Sequence, residues 1–367
     1  MVDDKKRLRA ENSVNDNHAT LSAKGDISRI LHSSGAQQAG MSGFDAEFSD
    51  IVDYIIKITH RIWEEKAIGD IYRYYLHNAV VHTNSGDIYG REQVVTGTIQ
   101  ALAAFPDRRL YGDEVIWTRL PDGSYYSSHR ITHKGRNTGH TLYGGPTGRT
   151  IQYRAIADCI VRDNRVIEEW LVRDELQLIA QLGFDPHALA AEFAQTERAI
   201  GYAESAVGEV DRLRGQLPPR DFDAISPAED LESWMKRLFH EIWNWRMLNR
   251  VDVYFDERLH AQSASGRSMH GLGSYQAYIL SLLAPFPDLG MQVHHCCAIP
   301  DSDYAVRSAT RWSMQGTHTG PGIYGRPTGK RINIFGITHH LIQNGKIIRE
   351  WTLFDEFALL KQLYAPD

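Results

Sequence analysis

The chain reads as an α+β protein of two tandem cone-shaped domains, each a curved antiparallel sheet with helices packed on its concave face. Three observations predict this. The sequence repeats itself at a nearly constant offset. Each copy opens with helical periodicity and continues in long β-patterned runs. Two stretches, one before the first copy and one between the copies, have no counterpart in the repeat.

The repeat is read directly from the residues. Leu142-Tyr143-Gly144-Gly145-Pro146-Thr147-Gly148-Arg149 aligns with Ile323-Tyr324-Gly325-Arg326-Pro327-Thr328-Gly329-Lys330 at an offset of 181. The same offset pairs Phe105-Pro106-Asp107 with Phe286-Pro287-Asp288, Glu169-Trp170 with Glu350-Trp351, and Asp174-Glu175 with Asp355-Glu356. Upstream it slips by one, so that Ile62-Trp63 meets Ile242-Trp243. One slip over so long a stretch marks a duplication.

Each element then follows from its pattern. Phe48, Ile51, Val52, Ile55, Ile58, Thr59 and Ile62 form one helical stripe. Leu231, Trp234, Met235, Leu238, Phe239, Ile242 and Trp245 form its counterpart. A short strand and a second helix follow, near 91–104 and 272–284, each stopped by the Phe-Pro-Asp turn. Strand patterns cover 108–120, 124–137, 148–162 and 165–173, and again 289–299, 303–318, 329–343 and 346–354. Asp163-Asn164 and Asn344-Gly345 supply hairpin turns, and short helices at 175–182 and 356–364 close the units. The domains therefore span 44–185 and 228–367. Residues 1–43 read as a flexible polar tail, and 186–227 as a linker with a helix from His187 to Leu213.

Composition narrows the function. No apolar run reaches the roughly 18–20 residues of a membrane span, and Met1-Val2-Asp3-Asp4-Lys5-Lys6-Arg7 does not lead into a secretory signal. Three cysteines, Cys159, Cys296 and Cys297, make no disulfide framework. These features predict a cytoplasmic protein that does not bind membranes. A net charge of −6 argues against a nucleic-acid partner.

The run Arg311-Trp312-Ser313-Met314-Gln315-Gly316-Thr317-His318-Thr319-Gly320, with Gly325-Arg326-Pro327-Thr328-Gly329-Lys330, resembles the SnoaL-like polyketide cyclase family. So does Gln343-Asn344-Gly345-Lys346-Ile347-Ile348-Arg349-Glu350-Trp351, followed by Asp355 and Gln362-Leu363. The likeness covers nearly all of copy two. It is weaker in copy one, where Asn137 replaces His318 and Arg149 replaces Lys330. The resemblance implies a pocketed cone, of the superfamily shared with nuclear transport factor 2 and steroid isomerase. It also implies metal-free aldol ring closure on a polyketide ester, with an aspartate after the last strand as acid/base. The matching positions are Asp355 and, by the repeat, Asp174.

Strand alternation puts Trp351, Leu353 and Asp355 on one face, with Trp170, Val172 and Asp174 as their counterparts. A carboxylate against such an apolar wall gains basicity by desolvation. The competing reading is that both aspartates cap the helices that follow them. His318 shares parity with Trp312 and Met314 and is a candidate to orient a carbonyl or stabilise an enolate; the alternative is a buried histidine bonded to backbone. His339 and His340 point to opposite faces, so one enters the cone as a partner for Asp355; their counterparts are Asp158 and Cys159. The candidate catalytic set is thus Asp355, His318, His339, His340 and Asp174, with Trp312, Trp351, Met314, Trp170, Asn137 and Asp158 as substrate contacts.

His294-His295-Cys296-Cys297 alternates across a strand and offers at most two ligands to one ion, so no metal is expected. Pro327-Thr328-Gly329-Lys330 lacks phosphate-loop spacing and reads as a turn. The expected function is cofactor-free lyase or isomerase-like chemistry on a small hydrophobic carbonyl compound. The alternatives are a non-catalytic binding or scaffolding protein, and a hydratase or dehydratase in the same pocket. The two copies are expected to pair within one chain, as a monomer or as a homodimer of tandem chains.

Overall fold

The computed structural model describes residues 30–31, 36–38, 40–199 and 226–366. Most of the tail predicted over 1–43, and the linker helix beyond Ala199, lie outside the described residues.

Copy one opens with α1 (Ile51–Trp63), started by Asp50, whose side chain accepts the Asp53 N–H. Its apolar stripe packs with Phe48 and Tyr54, and Ile30 and Met41 join the same core, so packing begins before residue 44. A single helical turn leads into β1 (Tyr75–Thr83) and β2 (Gly86–Tyr89), then α2 (Arg91–Ala104). Four long strands follow, β3 (Arg109–Arg119), β4 (Tyr125–Arg136), β5 (Thr150–Arg162) and β6 (Arg165–Arg173), closed by α3 (Glu175–Leu182). Next comes α4 (Pro186–Ala199).

Copy two repeats the plan: α5 (Leu231–Phe239), β7 (Phe255–Gln262), β8 (Ser268–His270) and α6 (Gly271–Leu283). Then come β9 (Gly290–Ser302), β10 (Ala305–Thr317), β11 (Arg331–Gln343), β12 (Lys346–Phe354) and α7 (Glu356–Tyr364). A π turn, His240–Asn244, extends α5. Its wider winding shifts the expected stripe. Trp243 is buried, whereas Trp245, expected on the apolar face, is 42% exposed.

The strand orders are β2-β1-β6-β5-β4-β3 and β8-β7-β12-β11-β10-β9. Each sheet is antiparallel except where its first and last long strands lie side by side: β1 with β6 and β7 with β12 run parallel. The sheets are therefore mixed, and each carries a first hairpin where the sequence suggests one short strand. The β5–β6 and β11–β12 turns put Asp163 and Asn164, and Asn344 and Gly345, at positive φ. This is the two-residue hairpin that Asn and Gly favour.

Helices cover one face of each sheet, and the opposite faces pack on one another. Arg130 stacks over Trp351 at 4.3 Å, and the repeat-equivalent Arg311 stacks over Trp170 at 3.5 Å. Glu114 bonds Arg307 (2.7 Å) and His339 Nδ1 (2.7 Å), while His339 Nε2 lies 2.8 Å from Ser128 Oγ. Burial opposes the Glu114 charge, but the His339 bond and the Arg130 and Arg307 cations hold its carboxyl well below the usual range. Asn84 exchanges both hydrogen bonds with the Phe335 backbone, at 2.9 and 2.8 Å. α4 ties the copies together further: His187 Nδ1 lies 2.7 Å from the Tyr364 hydroxyl, and Phe193 meets Phe357 edge-on at 5.7 Å.

Candidate active site

The interior of the C-terminal cone holds one connected polar group in an otherwise apolar wall. Trp312 and Met314 from β10, Thr338 and His340 from β11, and Glu350, Thr352 and Phe354 from β12 line it. Phe239, Trp243, Tyr275, Tyr278 and Leu282 close it from the helical side. The free space between these side chains is about 430 Å³ including the mouth, but only about 20 Å³ admits the centre of a water molecule. That is room for about one water.

Glu350 is the hub. Its carboxylate accepts from the Tyr275 hydroxyl (2.8 Å) and the Thr352 hydroxyl (2.9 Å), and His340 Nε2 lies 3.2 Å away. Thr352 is 2.9 Å from Thr338, which accepts the Trp312 indole N–H at 2.9 Å. The indole can only donate and a carboxylate can only accept, so every proton in this chain points toward Glu350. Burial and Glu350 push the Tyr275 hydroxyl well above its ordinary pKa, so it stays a donor. His340 Nδ1 is buried and has no hydrogen-bond partner among the described residues.

Copy one lacks this pair. Glu169 accepts from Tyr75 at 3.0 Å, but Cys159 occupies the His340 position. Burial raises the pKa of both the Glu169 carboxyl and the Cys159 thiol.

The residues singled out from sequence divide into three groups. Trp312, Met314 and His340 line the cavity. Trp351, Trp170, Asp158 and His339 instead face the contact between the copies. Arginines cover the two tryptophans, Tyr126 donates to Asp158, and His339 bonds Glu114. On β12 the alternation expected from sequence holds, but the inward face is the opposite one: Glu350, Thr352 and Phe354 turn inward. Neither histidine partners Asp355.

The third group is bonded to backbone N–H groups. Asp355 accepts the Phe357 and Ala358 N–H groups at 2.9 and 3.0 Å and starts α7. Burial, then the nearby Glu175, pushes its pKa up to about 7. Asp174 caps α3 and accepts the Ser265 N–H of copy two at 2.9 Å; burial pushes it up to about 6. His318 accepts the Thr328 N–H at Nδ1 (3.3 Å), and Asn137 accepts the Thr147 N–H (2.7 Å). Both latch the Pro-Thr-Gly turn, and burial lowers the His318 pKa.

Sequence reasoning missed Glu350, Tyr275, Thr338 and Thr352. One signal pointed to three of them: Thr338 and His340 share parity on β11, and Glu350 and Thr352 share it on β12. The register then sets His340 opposite Glu350, and Thr338 opposite Thr352.

Two fused α+β cones, each a bent six-stranded sheet closed by helices, define a nuclear transport factor 2-like protein. The family model described as SnoaL-like polyketide cyclase matches residues 54–182 and again 234–363, and the chain belongs to that family. Among solved structures it is similar to a protein described as a SnoaL-like polyketide cyclase from Jannaschia sp. CCS1. Identity there is 20%, over 40% of this chain and 99% of that one, with a TM-score of 0.33. It is also similar to IdmH of Streptomyces antibioticus, with 22% identity over 36% of this chain and 97% of that one, TM-score 0.32. A SnoaL-like polyketide cyclase from Agrobacterium tumefaciens shows 18% identity over 34% and 92%, TM-score 0.28. No curated protein matches the chain. Among the described residues no helix is long and apolar enough to cross a membrane.

Proposed function

We propose that the C-terminal cone carries out cofactor-independent acid–base chemistry on a small, hydrophobic carbonyl compound, of the kind that closes a polyketide ester ring. The observation that carries this reading is the His340–Glu350 pair. With Nε2–H directed at an acceptor-only carboxylate, the imidazole keeps its lone pair on the unpartnered Nδ1. Nδ1 takes the proton from the carbon next to the carbonyl, and the C–H electrons pass into an enolate. The enolate carbon forms the new C–C bond at a second carbonyl, and the imidazolium returns its proton to the resulting alkoxide. Glu350 stabilises the intermediate imidazolium, as the carboxylate does in other His–carboxylate pairs. Trp312, Met314 and Phe354 supply the apolar wall.

The test is deuterium exchange at the α-carbon of ethyl acetoacetate in D2O, followed by NMR. His340→Ala and Glu350→Gln should each slow exchange by about 10²–10⁴-fold. Wild-type rates in both variants would overturn the assignment. A second reading, a non-catalytic domain pair, is favoured by the tightness of the cavity, since a substrate enters only by displacing side chains such as Tyr278 and Leu282. Absence of exchange in the wild-type protein would support that reading.

A further inference from the structure

The cone of copy one carries different chemistry at the matching positions. Where copy two has Leu289, Met314, Ile334 and Phe354, the offset of 181 places Arg108, His133, Tyr153 and Arg173. Four apolar positions have become two cations, an imidazole and a phenol. The helix over the cone has changed in the other direction. Tyr275, Tyr278 and Leu282, which fill the copy-two cavity, are matched by Val94, Gly97 and Ala101. Gly97 is exposed, and a Cβ added there would meet nothing within 4 Å, so this part of the cover is absent in copy one.

Three of the four meet, and Arg173 is close enough for its charge to act on them. His133 stacks on Tyr153 with ring centroids 4.8 Å apart and planes 8° from parallel. Arg108 donates to the Tyr153 hydroxyl and lies over the rings of Trp63 (5.0 Å) and Phe105 (5.7 Å). Arg108 and His133 are 6% and 5% exposed, yet Arg108 Nε and both His133 ring nitrogens lack a hydrogen-bond partner. Arg108 makes no ion pair among the described residues. Arg173 has a long ion pair with Glu175 at 3.9 Å, and Tyr143 donates to the other Glu175 oxygen at 2.6 Å. Glu169 is engaged by Tyr75.

A buried guanidinium without a counter-charge is costly, and buried nitrogens left without partners add to that cost. Desolvation depresses the pKa of both Arg108 and His133; Glu175 offsets only part of it at Arg108, and no anion offsets it at His133. We infer that the N-terminal cone is a binding site for a small organic carboxylate, its charge held by Arg108, Arg173 and His133 and its apolar body lying under α2 beside Trp63. Guanidinium groups match the two oxygens of a carboxylate, and the small residues Val94, Gly97 and Ala101 cover the cone less than the tyrosines and leucine of copy two do. The assignment concerns the other cone and is independent of the chemistry proposed for His340.

The test is calorimetric titration of the full chain with 4-phenylbutyrate, its methyl ester and inorganic phosphate. Saturable binding of the acid, with the ester at least about tenfold weaker, is expected. Arg108→Met and Arg173→Met should each weaken the acid by about tenfold or more. If a variant fails to fold, the wild-type melting temperature provides the same discrimination, rising with the acid and not with the ester. Equal affinity for acid and ester, binding unaffected by both substitutions, or binding of phosphate alone would overturn the assignment.

Discussion

His340 and Glu350 stand opposite one another in register on β11 and β12, with Nε2 3.2 Å from the carboxylate, on the inner wall of the C-terminal cone. The pair is held from the helical side by Tyr275, which donates to the same oxygen that His340 approaches. Tyr275→Phe removes that donor and leaves the ring in place. Exchange at the α-carbon should slow by about tenfold through kcat with KM unchanged, as expected for loss of one bond to a charged group.

Asp355 should behave as a cap. Asp355→Asn keeps a capping side chain and should leave exchange at the wild-type rate. Asp355→Ala should cost about 1 kcal/mol, roughly 2–4 °C in melting temperature.

The same residue gives a pH signature. Asp174 and Asp355 titrate near 6 and 7 in the folded protein, against about 4 in an unfolded chain. Their raised values mean that the folded state binds protons more tightly. The stability they contribute is complete below the unfolded pKa and is lost as pH rises through 6 to 7. Melting temperature measured from pH 5 to 8 should therefore fall on this account, and Asp355→Asn should flatten the slope.

Glu114 has the opposite sign. Its depressed pKa gives stability that is full above the ordinary glutamate range and is lost on acidification below it. Glu114→Ala would leave the buried His339 without its carboxylate, and Arg130 and Arg307 with only the more exposed Asp113 and Asp301. The expected loss is about 3–5 kcal/mol, seen in urea melts as separation of the two copies into distinct transitions.

Gly336 tests the cavity wall. A Cβ there would lie 2.4 and 2.5 Å from two atoms of the Trp312 ring. Gly336→Ala should displace the indole from Thr338, alter tryptophan fluorescence and cost about 1–3 kcal/mol by overpacking.

Much of this was legible in the sequence. The repeat, the Asp163-Asn164 and Asn344-Gly345 turns and the closing helices at 175–182 and 356–364 follow from local chemistry that tertiary structure did not override. The inward face of β12 was not legible. Alternation identifies inside and outside only when one face meets water, and here helices cover one side while the other copy covers the second. Trp351 and Glu350 are thus enclosed on opposite faces, and composition does not rank them. Asp355 was ambiguous for a local reason, since an aspartate followed by glutamate and an apolar run suits a cap as well as a base. The π turn after Phe239 has no sequence signature, and it reassigned Trp243 and Trp245.

The back-to-back contact shows what covalent fusion permits. Arg130–Trp351 and Arg311–Trp170 are repeat-equivalent, but the position of Glu114, facing Arg307 and His339, is taken in the other copy by His295, whose ring lies tilted against Tyr126 with centroids 3.7 Å apart. Two identical subunits would have to present every contact twice. A glutamate would then recur at both ends of the axis, and any replacement would have to suit both. Joining the halves in one chain removes that constraint, so one end can centre on Glu114 and the other on the Tyr126–His295 ring contact with Asp158 beside it, and each cone can differ from its twin.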